Sequence, residues 1–145
     1  MKNFFTIAII LVVLLGGSVW WSKSMQSDKP YDVTSTCVSH GGLGMHIHPT
    51  LKIIVNGEEQ PIPANIGIPN AACMRPVHTH DATGIIHIES VEIRDFPLKD
   101  FFSVWGKDFK GFGTNVSMTI NGIENTELEN YIMRDKDEIV LTYTN

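Results

Sequence analysis

Met45-His46-Ile47-His48-Pro49-Thr50-Leu51-Lys52-Ile53-Ile54-Val55-Asn56-Gly57 alternates apolar and polar side chains almost throughout. Neighbouring side chains of an extended chain point to opposite faces, so Ile47, Leu51, Ile53 and Val55 share one face and His46, His48, Thr50 and Lys52 the other. This is the pattern of a half-buried β-strand from Met45 to Asn56. Asn56-Gly57 then offers the two residues of a tight hairpin turn, because both accept the positive φ that such a turn requires. Folding back about that pair sets Ile62 opposite Leu51, apolar against apolar. Pro61 and Pro63 cannot donate to a ladder, which makes the return strand an edge.

The same pattern returns at Val77-His78-Thr79-His80-Asp81-Ala82-Thr83-Gly84-Ile85-Ile86-His87-Ile88-Glu89. With Asp81 to Gly84 as a four-residue loop, His78 faces His87 across the hairpin and Val77 faces Ile88. His78, His80, His87 and Glu89 then share one face, and Val77, Ile86 and Ile88 share the core face. In both hairpins the apolar face is complete without the histidines, so the imidazoles are not needed to fill the core.

Between Phe96 and Gly106 the hydrophobic period changes from two to 3.6. Leu98, Phe101, Phe102 and Trp105 recur at i, i+3, i+4 and i+7, with Pro97 suited to a first turn and Gly106 to a stop. A helix this short needs tertiary burial to persist, so its aromatic stripe is predicted to pack on the sheet. Val116, Met118 and Ile120 alternate before a second Asn-Gly pair at Asn121-Gly122, and Ile139, Leu141 and Tyr143 alternate near the end. Both are predicted strands. From Ser117 to Tyr143 the chain resembles the end of a β-grasp domain, which implies a sheet packed on one helix. The fold class expected is α+β, mostly β: a small antiparallel or mixed sheet of hairpins on one short helix, β-grasp-like, with an N-terminal transmembrane helix.

That transmembrane expectation rests on the start of the chain. Lys2 is followed by an uncharged, mostly apolar run from Phe4 to Trp21, about long enough to span hydrocarbon, with Trp20-Trp21 suited to the membrane interface. Residues 1–22 read as an uncleaved membrane anchor, with a cleaved signal peptide ending at Gly16-Gly17-Ser18 as the rival. Residues 23–36 are polar and aperiodic and read as a linker, leaving 37–145 as an extracytoplasmic, histidine-rich β domain. At 145 residues there is room for one small core beside that appendage. The expected location is therefore the membrane, facing the periplasm or cell exterior, or the secreted fraction if the segment is removed.

The formal charge of −5 comes with no basic stripe, which argues against a nucleic-acid partner. The partners expected are the membrane and a neighbouring membrane protein.

All six histidines lie between His40 and His87. Imidazole is a favoured ligand of zinc and copper, and cross-strand Cβ atoms stand roughly 4.5–5.5 Å apart, close enough for two or three rings to grip one ion. His78, His80 and His87 form the most economical set. His46 and His48 join if their strand lies beside the second hairpin. Asp81 and Glu89 are candidate acceptors that would fix ring tautomers, with Asp81 better suited to starting the turn. His40, among Gly41-Gly42, reads as peripheral. Cys37 and Cys73 are expected to form a disulfide in an exported chain, with thiolate ligation, aided by Met45 and Met74, as the alternative.

No nucleophile elbow, zinc-protease helix or phosphate loop is present, so binding leads over catalysis. The function expected is a membrane-tethered protein that captures or delivers copper or zinc. The alternatives are a small metalloenzyme with an open three-histidine site and a structural subunit of a membrane assembly.

Overall fold

The computed structural model describes residues 31–145. The apolar run, its anchor reading and the first part of the linker lie outside the described residues. Among the described residues no helix is long and apolar enough to cross a membrane. Among the described residues the fold is mostly sheet, in two sheets, with one α-helix.

Hairpin chemistry and Pro49 set the layout. The expected strand from Met45 to Asn56 is two strands, β1 (Met45–Ile47) and β2 (Thr50–Val55), which belong to different sheets. Pro49 has no N–H to continue a ladder, and there the chain crosses from one sheet to the other. The crossing is tied down by the second hairpin. Ile86 N donates to the Pro49 carbonyl at 2.8 Å, and Leu51 N donates to the Gly84 carbonyl at 2.9 Å. Gly84 has φ +82°, and a Cβ there would stand 2.4 Å from the Leu51 carbonyl oxygen, so both the conformation and the close approach require glycine.

After β2, Asn56 and Gly57 take φ of 50° and 88° and lead into β3 (Glu58–Gln60), which pairs only with β2 and is an edge as Pro61 and Pro63 require. β4 (Val77–His78) and β5 (His87–Ser90) form the second hairpin, with Val77 opposite Ile88 and His78 opposite His87. β1 pairs antiparallel with the other side of β5, giving a three-stranded sheet in the order β1-β5-β4.

The helix α1 (Leu98–Trp105) follows Pro97 and stops at Gly106, which adopts φ 70°. It packs on β4. Leu98, Phe101 and Phe102 are buried, and the Phe102 ring meets Phe109 at 5.1 Å. The last part of the chain forms β6 (Asn115–Ile120), β7 (Ile123–Asn125) and β8 (Glu138–Thr144), with Asn121 and Gly122 at positive φ in the β6–β7 turn. β8 lies between β6, antiparallel, and β2, parallel, so the larger sheet runs β3-β2-β8-β6-β7.

Apolar faces of both sheets and of α1 close on one core that includes Ile53, Val77, Ile86, Ile88, Phe101 and Leu141. The turn at residues 32–36, read from sequence as the end of the linker, is folded onto this domain. Val33 is buried, and the Asp32 side chain accepts from Thr34 N at 2.9 Å. Cys37 and Cys73 form a disulfide, which leaves no free thiolate and removes the thiolate-ligand alternative. Val38 N donates to the Met74 carbonyl at 2.8 Å beside it, so the entry of the domain is clamped to the approach of β4.

Candidate metal centre

The alternation that buries Val77 and Ile88 and packs Ile47 against the core turns the other face of the small sheet into a field of imidazoles. His46 of β1 pairs with Glu89 of β5, and past the last pair of that ladder, Ile47 with Ile88, the His48 ring lies 4.6 Å from that of His87. His87 in turn pairs with His78. Cross-strand neighbours on one face are held a few ångströms apart by the ladder itself, so His87 and His78 stand side by side, and His48, just past the end of β1, continues the row. His80, two residues beyond His78, extends the face towards the loop.

Ring geometry bears this out. The His87 ring lies 4.5 Å from His80 and 4.6 Å from His48, both edge-on, and 5.4 Å from His78, nearly parallel. Ligand nitrogens fall into two sets, His78, His80, His87 and His46, His48, His87, each lying within 4.8 Å of one another. The five histidines expected from the sequence to ligate therefore converge, and His46 and His48 join by way of β1 rather than through the hairpin.

His78 is the best prepared of them. Its side chain is fully buried, and Nδ1 stands 2.9 Å from the Arg75 carbonyl oxygen. A carbonyl oxygen only accepts, so Nδ1 carries the proton and Nε2 presents its lone pair. That Nε2 lies 3.2 Å from Nε2 of His80. Two nitrogens bound to one tetrahedral zinc at roughly 2.0–2.1 Å would be about 3.3 Å apart. The pair is thus already at ligand spacing, and without an ion the His80 Nε2–H donates to His78.

Burial lowers the pKa of His78, since removal from water disfavours the imidazolium, with the Arg75 carbonyl opposing it. His87 is pushed down to about 4, first by burial and then by the neighbouring His80, His48 and His78. Both rings are neutral at pH 7, the form that ligates.

The carboxylates divide. Asp81 serves the turn: its Oδ1 accepts from Thr83 N at 2.9 Å and from the Thr83 hydroxyl, and these bonds hold its pKa low. Glu89 is on the histidine face as expected, but its partners are other histidines. Oε1 lies 3.2 Å from Nε2 of His46, and Oε2 lies 3.3 Å from Nδ1 of His40. These are ion-pair distances without hydrogen-bond angles, and among the described residues neither oxygen accepts a hydrogen bond.

Three participants escaped the sequence. His40, read from the sequence as peripheral, reaches Glu89 although it precedes β1. Arg75 contributes a main-chain carbonyl, which no residue type signals. Asp135 Oδ1 accepts from His48 N at 3.0 Å and lies 4.0 Å from His48 Nδ1, from a position 87 residues away that leaves no local trace. The chain matches no family model, and no curated protein or solved structure is significantly similar to it.

Proposed function

We propose that this chain is a membrane-tethered, extracytoplasmic metal-binding protein that captures or delivers copper or zinc through its histidine face. The observation that carries the proposal is the His78–His80 pair, with Nε2 atoms 3.2 Å apart and His78 oriented by the Arg75 carbonyl. An all-imidazole set suits zinc and copper among the common first-row ions. His78, His80 and His87 hold the ion, and His46 and His48 extend the donor set.

The disulfide supports an oxidising compartment, because such bonds persist outside the cytosol. The apolar run from Phe4 to Trp21 supports the tether, and delivery to a neighbouring membrane protein follows from holding the site near the bilayer. For the fold, the central parallel pair β2-β8 flanked by the hairpins β2-β3 and β6-β7 supports a β-grasp-like larger sheet.

A second reading, a small metalloenzyme, draws on the three-nitrogen set His78, His80 and His87, which leaves a fourth position for water. Metal analysis of the full-length chain and of a His78→Ala/His80→Ala variant tests the primary proposal. Retained zinc or copper in the native chain and a lower metal content in the variant is the expected result; equal metal in both removes the site.

A further inference from the structure

We infer that the histidine face holds two ions, one between His78, His80 and His87 and a second between His46, His48 and His87 on which the Glu89 carboxylate closes. This rests on the metal-binding reading above and extends it. Two independent observations carry it.

The first is how the donors divide. Among the described residues they form two triplets rather than one group of five, and His87 alone belongs to both. Its ring stands between the two ends, 4.5 Å from His80 on one side and 4.6 Å from His48 on the other. An imidazole has two nitrogens directed away from each other. With both positions filled, His87 gives one nitrogen to each ion as an imidazolate, and its ring proton passes to solvent.

The second is Glu89. Its side chain is 0% exposed, and neither oxygen has a hydrogen-bond partner among the described residues. A carboxylate removed from water is costly unless a cation or donors neutralise it, and such orphaned groups mark ion sites. Glu89 Oε1 lies 3.2 Å from His46 Nε2, close to the separation of two ligand atoms on one tetrahedral ion. His40 Nδ1, 3.3 Å from the other oxygen, covers the carboxylate from outside.

The two positions differ chemically. The first offers three nitrogens and an open place. The second offers three nitrogens and one oxygen, a complete tetrahedral set for zinc. The face would therefore pair an ion that keeps an open coordination position with one whose four positions are filled by the protein.

Zinc titration of the full-length chain, read as ions retained per chain after gel filtration, tests this. Two ions are expected in the native protein. Glu89→Gln and His46→Asn should each leave one, His80→Asn should leave one, and His87→Asn should weaken both. Copper(II) loading adds an independent readout: coupling through the shared ring should reduce the integrated electron-paramagnetic signal below the copper content. His46 is exposed, so His46→Asn keeps the test decisive if Glu89→Gln fails to fold. A single ion lost equally in His80→Asn and His46→Asn overturns the two-ion inference while preserving metal binding. Two ions retained in His46→Asn overturns the proposed second position. No ion in the native chain overturns the metal-binding reading itself.

Discussion

His78 and His80 meet through their Nε2 atoms at 3.2 Å, while the far side of His78 is tied to the Arg75 carbonyl at 2.9 Å. One proton lies across that gap, at the place a bound metal ion would take. Removing either imidazole should therefore weaken zinc binding by more than the roughly 10–100-fold that a partner outside the coordination sphere is worth. Competition titration of His80→Ala against the native chain measures this. An affinity within a factor of ten of native would contradict it.

Much of this was legible because two-residue alternation names a face before any strand is placed. His78 opposite His87 and the apolar set Val77, Ile86 and Ile88 followed from the hairpin loop alone, and Asn56-Gly57 and Asn121-Gly122 marked both remaining turns. Pro49 was the exception. It divides one apparent strand between two sheets, and the pairing of β1 with β5 that brings in His46 and His48 is a long-range fact with no local signature. Asp135 and the Arg75 carbonyl were invisible for related reasons: one comes from far along the chain, the other from the main chain.

Acid should destabilise the metal-free protein through the same rings. His87 titrates at about 4 in the fold against its ordinary 6.5, and the pKa of His78 is lowered as well. Between those values the unfolded chain binds more protons, so stability falls as the pH drops from 6.5 towards 4. The thermal midpoint of metal-stripped protein should be lower at pH 5 than at pH 7.5, and His87→Gln should narrow the difference. A midpoint difference unaltered by that substitution would count against the buried, neutral His87.

The disulfide ties residues 36 apart in the chain. Closing a loop of that size stabilises by about 4 kcal/mol in the chain-entropy account. It also holds the segment carrying Arg75, whose guanidinium donates to the Thr36 carbonyl at 3.3 Å. A Cys37→Ser/Cys73→Ser variant should lose stability of that order in urea unfolding and bind zinc more weakly than native protein. Unchanged affinity would show that the clamp does not position His78.

Gly84 joins the two sheets at a point where a side chain has no room. Gly84→Ala should destabilise by about 1–3 kcal/mol from the left-handed backbone alone, with the contact to the Leu51 carbonyl adding to it. Equilibrium unfolding of the variant checks this, and a change below about 0.5 kcal/mol, the range of an ordinary surface substitution, would contradict it.

The most direct test of the metal-binding claim is X-ray absorption at the zinc edge on the loaded full-length chain. Imidazole scattering from two or more rings, with zinc–nitrogen distances of roughly 2.0–2.1 Å, is the predicted result. A spectrum of oxygen ligands without imidazole, or a chain that retains no zinc to measure, would contradict the account.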